Sequence, residues 1–230
     1  MSKRIFVTGT GTDVGKTYIS GLLVKKLHQL DRTVAYYKAA MSGNQRDELG
    51  QLIPGDAVYI KEVSGIHQAV ETMCPYVYEA ALSPHLASRI EGNPLNMEVV
   101  LKGLKELEKD YNYVVMEGSG GILCPLLYDE EEIWLTDVLQ AANVSCVLVA
   151  DAGLGTINHV GLSAFYMKEK KIPLKGIIFN RFDSNNPMHL DNLNMCEALT
   201  GVKVLACVED GAEDLNLPLE TLRELFEEEV

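Results

Sequence analysis

Short apolar runs alternate along the chain with longer stretches in which apolar residues recur at helical spacing. The apolar runs cover residues 5–8, 33–37, 113–117, 146–150, 176–180 and 202–208. The helical stretches cover residues 16–30, 98–109, 136–142, 161–170, 187–199 and 218–228. Because near-continuous hydrophobicity is typical of strands buried on both faces, this order predicts a doubly wound α/β fold, a mostly parallel sheet with helices on both faces.

Residues 42–94 break this regular order, since glycine and proline recur throughout them. Excursions of this kind at strand ends in α/β proteins often form the ligand site, so we expect substrate contacts here. No internal repeat or low-complexity linker divides the sequence, and we expect residues 1–230 to form a single domain.

The composition, with 47% hydrophobic and 7% aromatic residues, is typical of a soluble protein. No apolar run approaches the ~18 residues that cross a bilayer, and the first apolar run is too short for a signal-peptide core. We therefore expect a cytoplasmic protein without membrane partners. The five cysteines form no Cys-x-x-Cys pair and their number is odd, which indicates reduced thiols rather than disulfides or a thiolate metal site.

The formal net charge of −13, from 20 basic and 33 acidic residues, would repel nucleic acid and anionic lipid. Any affinity for phosphate must therefore be local. A small phosphorylated ligand fits this charge best, and we expect no nucleic-acid partner.

A glycine-rich loop joins the first predicted strand to the first predicted helix, which is the context of a Walker A loop. Its candidate nucleotide-binding residues are Thr12, Asp13, Val14, Gly15, Lys16 and Thr17. Backbone N–H groups there would bind phosphate oxygens, Lys16 would neutralise them, and the Thr17 hydroxyl would ligate Mg²⁺. The alternative is a glycine-rich turn without a ligand. The spacing is also a variant, because Gly9 stands one residue before the position that the strict motif requires.

A second candidate lies where the strand 113–117 ends in a carboxylate and continues into Gly118, Ser119 and Gly120. Beside a Walker A loop, Glu117 could hold magnesium directly or through water, or it could simply cap a turn. Asp56 is a further carboxylate candidate, but an isolated Gly-Asp pair is common in turns.

A third glycine-rich turn spans residues 153–158 and precedes a helical stretch. Its free N–H groups could bind an anion, or it could be an ordinary turn capped by Thr156 or Asn158. The candidate ligand-binding residues of this turn are Gly153, Leu154, Gly155, Thr156 and Asn158. The histidines have no ligand spacing.

Taken together, these segments resemble the dethiobiotin synthetase family of P-loop NTPases, ATP-dependent carboxylases that close the ureido ring in biotin synthesis. The similar segments are Gly-Thr-Asp-Val-Gly-Lys-Thr at 11–17, Tyr-Lys at 37–38 with Ser-Gly at 42–43, Gly-Asp-Ala at 55–57, Ser-Pro-His at 83–85, Glu-Gly-Ser-Gly-Gly at 117–121, Gly-Thr-Ile-Asn-His at 155–159 and Asn-Arg at 180–181.

The resemblance implies the substrates ATP, 7,8-diaminononanoate and CO2 or bicarbonate, with Mg²⁺ bound by Thr17, Asp56 and Glu117. It also implies a homodimer with the substrate near the subunit interface. Catalysis would involve Lys16 and Lys38, with Thr12 and Ser42 around the same anion. The remaining implied nucleotide contacts are Asn180, Arg181, Glu209, Asp210 and Gly211. The sequence departs from the family pattern at Ala39-Ala40, where Pro-Val is usual, and at Val208-Glu209, where a proline is usual.

Lys38 follows a predicted apolar strand, and the carboxyl end of a strand in a doubly wound sheet is where ligands bind. Its ammonium could neutralise a carbamate and a γ-phosphate oxygen. The alternative is a solvated surface lysine, which is common at strand ends.

Two other functions remain possible at this point. A nucleotide-switch ATPase of the partitioning and septum-positioning class would share the fold, but such proteins carry a second lysine early in the loop, where this chain has Gly11. A related amide-forming enzyme of cobalamin synthesis normally adds a glutaminase domain, for which the chain leaves no room.

Overall fold

The computed structural model describes residues 2–30 and 32–226. The strands are β1 (Lys3–Gly9), β2 (Val34–Lys38), β3 (Ala40–Met41), β4 (Gln45–Arg46), β5 (Leu52–Ile53), β6 (Tyr76–Val77), β7 (Tyr113–Glu117), β8 (Pro125–Tyr128), β9 (Glu132–Trp134), β10 (Cys146–Asp151), β11 (Leu174–Asn180) and β12 (Val204–Val208). The α-helices are α1 (Lys16–Gln29), α2 (Gly55–Ser64), α3 (Pro84–Glu91), α4 (Met97–Asp110), α5 (Leu135–Ala142), α6 (Thr156–Glu169), α7 (Pro187–Thr200) and α8 (Leu219–Phe226). A 3₁₀ turn covers Val70–Thr72.

The main sheet has six strands in the order β12-β11-β10-β1-β7-β2, and every neighbouring pair is parallel. From β1 the chain first builds the β7-β2 side of the sheet and later the β10-β11-β12 side. The predicted doubly wound α/β fold is therefore confirmed. Ligands bind such sheets at the carboxyl ends of the strands where the winding reverses, which here means beside β1.

Both faces of the sheet are buried, as the continuous apolar runs predict. In β1, Ile5 and Val7 pack into one core while Phe6 packs into the other. In β2, Tyr36 and Tyr37 divide in the same way. This alternation follows from the two-residue period of a strand. It decides which side chains can approach each other above the sheet.

Residues 42–94 are more regular than the sequence indicates, because they contain helices α2 and α3. Their prolines and glycines lie at helix ends: Pro54 and Gly65 flank α2, whereas Pro84 begins α3 and Gly92 ends it. Proline suits the start of a helix, and glycine suits the left-handed residue that follows its end.

Two helix predictions differ from the structure at their boundaries. Helix α6 begins at Thr156, five residues before the predicted start, and Gly161 lies inside it, where a Cβ would come within 2.8 Å of Leu199. The last predicted helix corresponds to α8, and its predicted residues beyond Phe226 lie outside the described part of the chain.

The five cysteines are all free thiols within the described residues, as predicted. Among residues 2–30 and 32–226, no helix has the length and hydrophobicity that a membrane span needs.

Candidate active site

The loop between β1 and α1 has the backbone of a phosphate-binding loop. Asp13 has φ 60° and Gly15 has φ 94°, so both adopt left-handed conformations. A Cβ on Gly15 would stand 2.0 Å from Nδ2 of Asn180, which shows that the loop is packed directly against the end of β11. Glycine is therefore required at this position for both its φ angle and its lack of a side chain.

Lys16, the first residue of α1, is 7% exposed, and its Nζ donates a hydrogen bond of 2.8 Å to the Gly11 carbonyl. This bond folds the lysine back along the loop. Burial lowers the pKa of Lys16, while the charges of Glu117 and Asp56 act in the opposite direction. The ammonium thus lies where a phosphate group on the loop would meet it.

Glu117 is the centre of the polar network. It is 1% exposed, and its Oε1 accepts hydrogen bonds from Thr17 Oγ1 at 2.8 Å and from Lys38 Nζ at 2.7 Å. Its other oxygen, Oε2, accepts a bond of 2.9 Å from the hydroxyl of Tyr36. A buried carboxylate is stable only when it is paired in this way. The loop threonine and the strand-end carboxylate singled out in the sequence are therefore in direct contact.

Lys38 lies opposite Glu117 in the β2–β7 register and is 6% exposed, so the alternative of a solvated surface lysine is wrong. Its Nζ also donates to Asp56 Oδ2 at 2.6 Å. Burial alone would lower the pKa of Lys38, but the charges of Glu117 and Asp56 and their hydrogen bonds outweigh it, and the pKa is raised. Lys38 therefore remains an ammonium between two carboxylates.

The second glycine turn, residues 118–121, packs against the phosphate-binding loop. The Gly118 N–H donates to the Val7 carbonyl at 3.0 Å, and Ser119 Oγ donates to the Ala40 carbonyl at 2.8 Å. A Cβ on Gly121 would lie 3.5 Å from the carbonyl oxygens of Gly9 and Thr10. The turn thus joins the ends of β1 and β7 to strand β3 in one wall.

These elements enclose one open cavity at the carboxyl edge of the sheet. It is lined by Thr12, Asp13, Gly15, Lys16, Thr17, Tyr18, Lys38, Ala40, Ser42, Asp56, Ser119, Gly120 and Arg181. The candidates Thr12 and Ser42 therefore face the same space as Lys16 and Lys38.

Asn180 and Arg181 flank the phosphate-binding loop on the β11 side. Asn180 Nδ2 donates to the Val14 carbonyl at 3.1 Å, whereas its buried Oδ1 has no hydrogen-bond partner among the described residues. Arg181 donates to Asp151 Oδ2 at 2.7 Å and to the Asp13 carbonyl at 3.0 Å. A buried acceptor without a partner is costly, so Asn180 Oδ1 fits an amino group on a bound ligand.

The structure leaves two groups of candidate residues away from the cavity wall. Glu209, Asp210 and Gly211 form an exposed turn after β12, in which Gly211 has φ 76°. The turn 153–158 instead borders a separate surface groove beside α6 and α7.

In that second turn, Gly155 precedes α6 with φ 91°, and the Thr156 hydroxyl is buried without a hydrogen-bond partner in the described chain. Leu154 is 92% exposed. The turn leads into the N-terminus of α6, where the Thr156 N–H donates to the Gly153 carbonyl at 3.3 Å, and it borders a different surface from the one that Lys38 faces.

Sequence reasoning missed Tyr36, whose hydroxyl is bonded to Glu117. Nothing in the sequence distinguishes it from the other apolar positions of β2. Burial, followed by the charge of Glu117, raises the pKa of Tyr36. The phenol therefore stays protonated and acts as a hydrogen-bond donor. Cys124 lies near Gly120 in the same region, and burial raises the pKa of its thiol to about 11, which favours packing over chemistry.

A parallel sheet whose central strand runs into a lysine-threonine loop, with that threonine bonded to a strand-end carboxylate, defines a P-loop NTPase. A family model described as an AAA domain matches residues 3–214. Among curated relatives, the ATP-dependent dethiobiotin synthetase BioD of Brachyspira hyodysenteriae is 42% identical over 228 residues, 99% of this chain and 100% of the relative. That of Clostridium botulinum is 37% identical over 99% of this chain and 100% of its own length. The chain belongs to the ATP-dependent dethiobiotin synthetase family.

Solved structures with a similar fold share little sequence with this chain. A ParA family ATPase from Chlorobium tepidum has a TM-score of 0.56 at 16% identity, covering 98% of this chain and 91% of that chain. The MinC:MinD cell division complex of Aquifex aeolicus gives 0.57 at 11% identity, covering 97% and 86%. At such identities the likeness concerns the fold alone, whereas the sequence relatives favour the synthetase over the nucleotide switch.

Proposed function

We propose that this chain converts 7,8-diaminononanoate, CO2 and ATP into dethiobiotin, ADP and phosphate. The observation that carries the proposal is the buried ammonium of Lys38, which faces the same cavity as the P-loop lysine and threonine. A reaction that forms and phosphorylates a carbamate places an anion in this cavity, and a preorganised ammonium stabilises the negative charge that develops there. Membership of the synthetase family supports the same conclusion.

Two residues of the cavity wall, Thr17 and Asp56, together with Glu117 directly behind them, fit a bound magnesium ion. Thr17 Oγ1, Glu117 Oε1 and Asp56 Oδ2 are hard oxygen donors linked through one hydrogen-bond network, and Mg²⁺ prefers such donors. We propose these three residues as its ligands, direct or through water. When bound, the ion would neutralise charge on the phosphate oxygens of ATP. It would also compete with Lys38 for the two carboxylates, which would leave that ammonium available to an anion in the cavity.

In the first step, one amine of the substrate attacks CO2 and loses a proton, which gives a carbamate anion. Lys38 provides the positive charge for this anion, and Thr12 and Ser42 provide hydroxyl groups on the same wall. The carbamate oxygen then attacks the γ-phosphate and ADP leaves. Lys16 stabilises the phosphoryl group, and the barrier falls mainly through alignment and charge neutralisation.

In the last step, the second amine attacks the carbamoyl carbon, phosphate leaves and the ring closes. The two protons released along the pathway can pass to phosphate or to the free amine of the substrate. We assign no dedicated protein base, and the cavity wall contains no histidine.

We assign the adenine of ATP to the region beside Asn180 and Arg181. The Asn180 carbonyl oxygen suits the adenine amino group, because both partners are otherwise incompletely bonded. The backbone of Thr12, Asp13, Val14, Gly15 and Lys16 would hold the phosphates, with Gly118, Ser119 and Gly120 on the opposite wall. We also keep Glu209, Asp210 and Gly211 as candidate adenine contacts, since their turn follows the neighbouring strand β12.

We propose a homodimer in which the turn 153–158 completes the substrate site. Exposed apolar side chains on α6 and α7, including Leu162, Phe165 and Leu199, lie beside this turn and favour a second copy as the partner. The N-terminus of α6 and the Thr156 hydroxyl, which has no hydrogen-bond partner among the described residues, suit the distal carboxylate of the diamine. Sedimentation of an active monomer would contradict the dimer.

An analogue of the diamine with a neutral amide in place of its carboxylate should bind less tightly by ~1–3 kcal/mol, the range for hydrogen bonds to a charged group. Thr156→Val should narrow this difference, because it removes one of the proposed donors, while Thr200→Val on α7 should not, since that hydroxyl already bonds to the Cys196 carbonyl. Steady-state kinetics on acid and amide would test this. Equal Michaelis constants for acid and amide would exclude the turn as the carboxylate site.

The function itself is tested by phosphate release with ATP, Mg²⁺ and bicarbonate, with and without 7,8-diaminononanoate. Strict dependence on the diamine is the expected result. Steady ATP hydrolysis without it would instead favour the nucleotide switch. We place this reaction in the cytoplasm, where ATP and bicarbonate are both present.

A further inference from the structure

Tyr36 lies beneath the candidate metal ligands and contacts only one oxygen of Glu117. The side chain is fully buried, and its hydroxyl donates to Oε2 at 2.9 Å. The other oxygen, Oε1, takes both bonds from the cavity side, those of Thr17 and Lys38. The two carboxylate oxygens therefore have different partners. One faces the protein interior and the other faces the reacting groups.

The strand geometry explains why Tyr36 reaches this carboxylate. Tyr36 precedes Lys38 by two positions in β2, so both side chains project from the same face of the sheet. Glu117 is paired with Lys38 in the neighbouring strand, which places it diagonally across from Tyr36. A tyrosine is long enough to span such a diagonal.

The backbone of Tyr36 is also fixed in place. Strand β2 is at the edge of the main sheet, and the side-chain amide of Gln68 takes the place of a neighbouring strand there. The Tyr36 N–H donates to Gln68 Oε1 at 2.8 Å, and Gln68 Nε2 donates to the Tyr36 carbonyl at 3.0 Å. Gln68 itself is 1% exposed. Two hydrogen bonds between Gln68 and the main chain of Tyr36 therefore fix the backbone that carries the phenol.

We propose that Tyr36 is a positioning residue for the magnesium site: its hydroxyl holds Oε2 of Glu117 so that Oε1 stays directed at Thr17 and the metal. This inference rests on the proposed assignment of Glu117 as a magnesium ligand. Without the phenol, the last torsion of Glu117, which is a broad and soft one, would be restrained only through the bonds that Thr17 and Lys38 make to Oε1. Removing a partner that orients a metal ligand in this way typically lowers the metal affinity by ~10- to 100-fold.

The chain offers a matched control in the next residue. Tyr37 is also buried, but its hydroxyl donates to the Val100 carbonyl at 2.7 Å, on the other face of the sheet. Tyr36→Phe and Tyr37→Phe therefore each remove one buried phenolic hydrogen bond from the same strand. A general loss of packing or stability would affect both variants alike.

The readout is the affinity of a fluorescent ADP analogue measured against the concentration of Mg²⁺, which needs no turnover. Tyr36→Phe should raise by ~10-fold the Mg²⁺ concentration that gives half-maximal enhancement of ADP-analogue binding. Tyr37→Phe should leave this concentration unchanged. In a Glu117→Gln background, Tyr36→Phe should have no additional effect, because it acts through that carboxylate. Turnover should then follow the same pattern, with a higher Mg²⁺ requirement and an unchanged KM for the diamine.

A second readout uses the unsubstituted chain and so does not require Tyr36→Phe to fold. Mg²⁺ added to the ADP complex should produce a tyrosine difference spectrum in the near ultraviolet. The spectrum should persist in Tyr37→Phe and disappear in Glu117→Gln. Its absence from the unsubstituted chain would overturn the inference.

The two possible failures can be told apart. If Mg²⁺ strengthens ADP binding in the unsubstituted chain and equally in both tyrosine variants, Tyr36 has no positioning role although the metal site stands. If Mg²⁺ has no effect on ADP binding even in the unsubstituted chain, the proposed metal site itself is wrong, and the inference falls with it.

Discussion

Lys38→Gln is expected to lower turnover by ~100-fold or more, as loss of a preorganised charge in a dry site does. The structure strengthens the physical reason, because Lys38 is buried and bonded to two carboxylates rather than solvated. The glutamine amide can donate to one carboxylate but supplies no charge to the carbamate. Nucleotide affinity should change much less, since the backbone of the phosphate-binding loop is untouched.

The measurement is steady-state turnover of diamine, bicarbonate and ATP, together with ADP binding and thermal unfolding. Lys25→Gln is the control, because it removes the same charge from a half-buried lysine that pairs with the exposed Asp214 outside the cavity. A near-native rate for Lys38→Gln would mean that the carbamate obtains its positive charge elsewhere. A variant that does not bind ADP would assign Lys38 to folding of the site rather than to chemistry.

Glu117→Gln should have the second large effect, on both metal binding and stability. The amide cannot serve as the anionic partner of Lys38 or of the proposed metal ion. Breaking a buried ion pair by removing one partner typically costs ~3–5 kcal/mol, and here Lys38 keeps only the partly exposed Asp56. We therefore expect a lower free energy of unfolding. The Mg²⁺ concentration that gives half-maximal enhancement of ADP binding should rise at least ~100-fold, which is more than the loss of a residue that only orients a metal ligand would cause.

Glu106→Gln serves as the control for this variant. Glu106 is paired with Lys109 on the exposed surface of α4, where such pairs contribute little. Chemical denaturation and Mg²⁺ titration of both variants would separate the buried pair from the exposed one. Unchanged Mg²⁺ dependence in Glu117→Gln would remove Glu117 from the metal ligands and leave Thr17 and Asp56.

Much of the fold could be predicted because the main-sheet strands are apolar on both faces. The P-loop could be predicted for a different reason: its glycine, lysine and threonine act through local backbone geometry. The helices within residues 42–94 could not be predicted, because the sequence shows where the turn residues are but not whether they interrupt a helix or flank one. Pro54 and Gly65 flank α2.

The polar network depends on contacts between distant parts of the chain, which the sequence pattern does not reveal. Tyr36 looks like any core residue of a buried strand, and its bond to Glu117 spans two strands of the sheet. Gln68 is similar, since its role depends on the edge position of β2. Whether Lys38 is buried or exposed could not be predicted for the same reason. The sequence at the end of a strand does not indicate which carboxylates will surround a lysine there.

In the proposed reaction, a carbamate oxygen and not a water molecule attacks the γ-phosphate of ATP. The most direct test is a single-turnover reaction with ¹⁸O-labelled CO2 in unlabelled water, too brief for exchange, followed by mass analysis of the phosphate. One ¹⁸O atom is expected in each phosphate, because the attacking oxygen leaves with phosphorus when the ring closes. Phosphate without ¹⁸O would mean that its fourth oxygen came from water, so that the site hydrolyses ATP and no carbamate is phosphorylated.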